Sequence, residues 1–128
     1  MAGSVDILYI EDSAMDAMVL QLFARKAGYE RMVVVPTAVD GIAAARERSP
    51  RMIVTDLHLP DMDGIELVRS LKQNPATSHI PVLMVSCDSD RICMQLAKSA
   101  GVEHFLVKPI GMEHMTQLFN QYLATDNQ

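Results

Sequence analysis

The segment MIVTDLHLPDMDG, Met52 to Gly64, carries the clearest structural signal in the chain. It opens on a short apolar run, Met52-Ile53-Val54. That run is too short for a helix and suits a strand buried on both faces. It closes on Asp56, a carboxylate placed where an interior strand reaches the rim of a sheet. Pro60 and then Asp61-Met62-Asp63-Gly64 make a loop and the start of a helix, where acids complement the helix dipole. An open α/β sheet binds its ligands at the carboxyl ends of such strands.

The flanking sequence repeats the same alternation. Val5–Ile10 (VDILYI), Met32–Val35 (MVVV), Pro81–Ser86 (PVLMVS) and Glu103–Val107 (EHFLV) read as further strands. Helices are predicted over Ala14–Ala27, Thr37–Glu47, Gly64–Gln73, Asp88–Ala100 and Gly111–Ala124. In the first, Met15, Met18, Val19, Leu22 and Phe23 follow a helical period. Ser13 or Asp12 can cap that helix, and Gly28, Ser49-Pro50, Asn74-Pro75 and Gly101 supply stop signals. Five β-α units predict a doubly wound, five-stranded parallel sheet of the flavodoxin-like (βα)5 type, with helices on both faces. Right-handed crossovers put every strand's carboxyl end on one rim.

Composition narrows the class. The chain has 128 residues, 49% of them apolar, enough for one globular domain. No apolar run approaches the roughly 20 residues needed to cross a bilayer. A net charge of −5 argues against direct nucleic-acid binding. Two cysteines, Cys87 and Cys93, are too few for a disulfide framework and point to a reduced, cytoplasmic setting. Cys87 reads as a small packing residue. Ten methionines and no tryptophan fit either a soft core or a Met-lined docking surface.

Four strands deliver polar groups to the shared rim: Glu11 and Asp12, Asp56, Ser86, and Lys108. The second strand delivers nothing polar before Pro36, which suits an edge position and the order 2-1-3-4-5. Each residue alone has an ordinary explanation, as a cap or a solvated charge; the specificity lies in the set. Two like charges about 4 Å apart cost on the order of 4 kcal/mol near a protein surface. Three acids in one cleft therefore call for a divalent cation. All-oxygen ligands favour Mg2+, or Mn2+, over zinc. Lys108 and Ser86 suit the oxygens of a phosphoryl group on Asp56, and a carboxylate can itself be the nucleophile that forms an acyl phosphate.

With these residues in this order, the sequence resembles the receiver domain of two-component response regulators, of the single-domain, chemotaxis-regulator-like kind, over residues 5–124. Glu11-Asp12, Asp56 with LHLPDMDG, Ser86 and Lys108-Pro109 carry the match. Ala38-Val39-Asp40-Gly41, Ala100-Gly101-Val102 and Phe105 support it. The resemblance implies that Asp56 accepts a phosphoryl group from a sensor histidine kinase or a histidine phosphotransfer protein. It implies Mg2+ on Asp12, Asp56 and the backbone carbonyl of His58, with Glu11 acting through a metal-bound water. Lys108 would pair with the phosphoryl group, Ser86 would move toward it, and Phe105 would turn inward into the space that Ser86 leaves. The surface of helix four, strand five and helix five would change for a downstream protein. Pro109 is expected to follow a cis bond. His58 and Asp88 occupy positions that tune phosphoryl lifetime in the family. No output domain is expected after helix five.

Two other functions fit parts of the pattern. An aspartate-nucleophile phosphatase of the haloacid-dehalogenase type needs a second Asp two residues beyond the nucleophile, where this chain has His58. A receiver-like scaffold that works without phosphate has no need of the complete acid set. Asp61-Met62-Asp63-Gly64 matches a calcium loop only in part. The four histidines and two cysteines lack metal-ligand spacing.

Overall fold

In a computed structural model that describes residues 5–124, strands and helices alternate without exception. The order is β1 (Ile7–Ile10), α1 (Ala14–Lys26), β2 (Met32–Val35), α2 (Ala38–Arg48), β3 (Met52–Asp56), α3 (Gly64–Gln73), β4 (Val82–Ser86), α4 (Arg91–Ala100), β5 (His104–Val107) and α5 (Met112–Leu123). The strands form one parallel sheet in the order β2-β1-β3-β4-β5, as expected from the sequence.

Alternation along the strands makes two cores. Leu8, Ile10, Ile53, Val82 and Met84 face a layer built from α2, α3 and α4, with Ala45, Leu67, Val68 and Leu71 packed on them. Ile7, Tyr9, Met52, Val54, Leu83 and Val85 face the other way, against Leu20 and Ala24 of α1 and Leu118 and Phe119 of α5. β3 and β4 are buried throughout, which explains why they read as unbroken apolar runs.

Helix starts follow local chemistry. Ser13, Thr37, Asp63 and Asp90 cap α1, α2, α3 and α4 by accepting backbone N–H bonds from Asp16, Asp40, Ile65 and Ile92. Two boundaries depart from expectation by more than one residue. β1 begins at Ile7 rather than Val5. α4 begins at Arg91 rather than Asp88, because the Asp88 carboxylate accepts from the Asp90 N–H and closes a turn ahead of the cap.

Of the two uses the methionines allow, α1 shows the surface one. Met15 and Met18 are 74% and 66% exposed, and Val19 and Leu22 are exposed beside them. Ala17, Leu20 and Ala24 are the buried residues of this helix, with Phe23 packed against them. AMDAMVLQLFARK carries two apolar stripes of the same period, and the one through Ala17, Leu20 and Ala24 faces the sheet. Cys87, expected to pack, is exposed. The chain turns out of the sheet after Ser86, and Cys87 lines an open pocket between α1 and the turn at Lys108–Ile110.

Two contacts hold the loop that follows Asp56. The Asp61 carboxylate accepts from the Ala38 and Val39 N–H groups at 2.8 and 3.0 Å, so a β3–α3 loop residue caps α2. Gly64 N–H donates to the Leu57 carbonyl at 2.7 Å. A Cβ at Gly64 would press on the Asp56 carbonyl oxygen and stand 2.9 Å from Leu57 Cα, both backbone atoms that cannot swing aside. At Gly41 the neighbours are Cδ1 and Cγ1 of Ile10, a fully buried side chain that can yield only by repacking the core around it.

Gly64→Ala should therefore destabilise by on the order of 2–3 kcal/mol. Gly41→Ala should cost less, about 1 kcal/mol, because a gain of similar size in helix propensity offsets part of the crowding against Ile10. Urea midpoints of the two variants check the contrast. The backbone bonds from Ala38 and Val39 hold the Asp61 carboxyl below the ordinary carboxylate value. A depressed folded-state pKa stabilises above the unfolded value and loses that contribution as pH falls through the folded one. Asp61→Ala should thus lower the urea midpoint at pH 7, and the gap from wild type should shrink below about pH 4.

Candidate functional site

The parallel register sets the strand ends side by side. Ile10 pairs with Thr55, Asp56 with Val85, and Ser86 with Val107. The residues that leave the sheet there are Glu11, Asp56, Ser86 and Lys108. Backbone bonds continue the ladder past the strands, from Glu11 N–H to Val35, Leu57 N–H to Val85 and Lys108 N–H to Ser86.

Lys108 is the centre of the cluster. Its Nζ donates to Asp16 Oδ2 at 2.7 Å, Glu11 Oε1 at 3.0 Å and Asp56 Oδ2 at 3.4 Å. Burial on its own pushes the ammonium down. Its hydrogen bonds to Asp16 and Glu11 and the charge of Asp56 outweigh that, and hold it above the usual lysine range. Lys108 is therefore a fixed cation. The Lys108–Pro109 peptide bond is cis.

Glu11 is 3% exposed, and each of its oxygens is satisfied. Oε1 accepts from the Tyr9 hydroxyl at 2.9 Å as well as from Lys108, and Oε2 accepts from Ser13 N–H at 3.1 Å. Burial, followed by the charge and hydrogen bond of Glu11, raises the Tyr9 hydroxyl far above its usual range. Tyr9 thus stays a donor.

Asp56 is nearly buried; its Oδ1 accepts from Leu57 N–H at 2.8 Å, which leaves Oδ2 facing Lys108. Glu11, Asp12 and Asp56 each offer a carboxylate oxygen within 4.8 Å of the others. Asp12 is exposed and opens this group to solvent. The donor set is all oxygen and strongly negative, which fits a hard divalent cation.

Ser86, His58 and Asp88 line the same rim, and Phe105 sits two residues back from it, opposite Met84. Ser86 is fully buried, and its Oγ accepts from Asp88 N–H at 3.0 Å. His58 is exposed, with Nε2 4.0 Å from Asp88 Oδ2, and its backbone bridges Asp63. Phe105 is half-buried, packed on the α2–α3–α4 core layer and bordering a groove with Met94 and Val102.

Asp16 and Tyr9 are the site residues that sequence reading overlooked. Asp16 lies in the first turn of α1, one turn beyond Asp12, where an acid reads as a complement to the helix dipole. Tyr9 precedes Glu11 by two residues; the strand period of two would have placed them on one side.

The chain has clear relatives. Residues 7–120 match the family model of the response regulator receiver domain. Protein PilH of Pseudomonas aeruginosa is 28% identical over 118 residues, a span that covers 92% of this chain and 97% of PilH. The crystal structure of a putative response regulator from Chloroflexus aurantiacus superposes with a TM-score of 0.87 at 26% identity, covering 94% of this chain and 98% of that one. The receiver domain of the sensor histidine kinase PA1611 from Pseudomonas aeruginosa, solved with a magnesium ion coordinated in its active-site cleft, shares the fold at a TM-score of 0.85 and 20% identity, covering 95% and 99%. Among the described residues no helix is long and apolar enough to cross a membrane. With the family model matched over most of its length and a parallel sheet in this strand order, the chain belongs to the response regulator receiver family.

Proposed function

We propose that the protein is a phosphorylation-activated switch whose phosphoryl acceptor is Asp56. The observation that carries this reading is the meeting of Lys108 with Asp56 beside the Glu11–Asp12–Asp56 oxygen group. In the proposed step an Asp56 carboxylate oxygen attacks the phosphorus of a phosphohistidine on a histidine kinase or phosphotransfer protein. A P–O bond forms, the P–N bond breaks, and the electron pair returns to the imidazole, which takes up a proton. Asp12, Asp56 and the His58 carbonyl would hold Mg2+ or Mn2+, with Glu11 reaching it through a water. Bound there, the cation would offset the crowded carboxylate charge and that of the phosphoryl oxygens.

This chain's own groups do the rest. Leu57 N–H holds one Asp56 oxygen in place, so the other points toward Lys108. Lys108 neutralises negative charge on the transferred group. Ser86 gives up its contact with Asp88 N–H and turns its hydroxyl to the phosphoryl group, and Phe105 moves toward the space vacated. His58 and Asp88, paired across the rim, control the approach of water.

Two surfaces suit the partners. Met15, Met18, Val19 and Leu22 form an apolar strip on α1 beside the cleft, which fits a kinase or phosphotransfer helix. Ile92 and Leu96 on α4, Val107 on β5 and Met112 on α5 are exposed on the face that Phe105 would remodel, which fits a downstream protein.

Incubation with Mg2+ and a small acyl-phosphate donor should add one phosphoryl group to the wild type and none to Asp56→Asn, read by intact mass. A chelator should abolish the labelling. Equal labelling of both proteins would reject the proposal. Steady turnover of a generic phosphate ester, lost in Asp56→Asn, would favour the phosphatase instead.

A further inference from the structure

The shortest of the three Lys108 contacts is to Asp16, not to Asp56. An ammonium has three donors, and three carboxylates take them. A phosphoryl group on Asp56 brings several acceptor oxygens where Lys108 now meets one Asp56 oxygen at 3.4 Å, and a second bond to that group can form only if another partner yields.

The three acids differ in how readily they can release Lys108. Glu11 is buried, and its desolvation makes the loss of a cation costly. Asp56 is the acceptor itself. The Asp16 side chain is 41% exposed, so its carboxylate can return to water at little cost. Its backbone sits in a capped helix, where Asp16 N–H donates to Ser13 Oγ, and its position does not depend on Lys108.

We propose that Asp16 is a positioning residue for Lys108: it anchors the ammonium in the resting site and competes for it with a phosphoryl group on Asp56. This inference rests on the phosphoryl-acceptor reading given above. Asp16 thereby weakens the modified state, and how far the switch lies toward it depends on a residue outside the Glu11–Asp12–Asp56 oxygen group. Charge-assisted bonds of this length are the strong ones, so the competition is large enough to measure.

Trifluoroberyllate with Mg2+ serves as the phosphoryl mimic. Asp16→Asn should bind it about fivefold or more tightly than wild type, as expected for release of one charged hydrogen bond. Asp16→Glu, which keeps the charge, should stay within about twofold of wild type. In a Lys108→Ala background the Asp16→Asn gain should disappear, because coupled residues are non-additive. A gain that persists without Lys108 would mean that Asp16 merely repels the anion, and would overturn the proposal. In metal-free protein, Asp16→Asn should raise acylation of Lys108 by an amine reagent about threefold or more, since Lys108 loses its closest partner; unchanged reactivity would also overturn it. If wild type binds the mimic and accepts phosphoryl while Asp16→Asn changes nothing, this inference alone fails. If wild type does neither, the phosphoryl reading fails and the competition with it, and the acylation assay still reports on the resting contact.

Discussion

One lysine ammonium holding several carboxylates together is the constraint on which the rim depends. Glu11 is buried, and a buried carboxylate is tolerated only when its charge is paired and its lone pairs are met. Tyr9, Ser13 N–H and Lys108 meet them. Lys108 satisfies the same need for Asp56, and pairs the more exposed Asp16 as well. The cluster still has an excess of negative charge, and that excess gives the site its appetite for cations. A site with balanced charges would be more stable and would have no reason to bind a metal.

The parallel sheet makes this concentration of charge possible. Crossover helices return each strand in the same direction, so the strand ends, with the polar groups they carry, fall on one edge. The β3–α3 loop is then secured from two sides. Asp61 ties it to α2, and the absence of a side chain at Gly64 lets α3 start against the backbone of Asp56 and Leu57. Asp56 is therefore held by backbone geometry on both flanks, which suits a nucleophile that must present one oxygen.

Membership of the receiver family implies phosphorylation-dependent signalling and leaves donor and target open. Surface chemistry narrows the search. Apolar side chains are concentrated on α1 beside the cleft and on the α4–β5–α5 side. Exposed methionines such as Met15 and Met18 adapt to varied partner surfaces at small conformational cost.

Periodicity and stop signals were enough to read the five β-α units, the strand order and the set Glu11, Asp12, Asp56, Ser86 and Lys108 from the sequence alone. Each depends on local rules: a buried strand is apolar throughout, helices begin at caps, and the residue after a strand lies on the rim. The role of Asp16 was not legible, because an acid in a first helical turn looks the same whether it faces water or a lysine 92 residues away. The choice between the two apolar stripes of α1 was equally hidden. A helical period shows that a face exists, and only the docking of α1 on the sheet shows that Ala17, Leu20 and Ala24 are buried while Met15 and Met18 are exposed. Asp61 gave the same difficulty: its partners, Ala38 and Val39, lie one element away, and the fold alone brings them within hydrogen-bond reach.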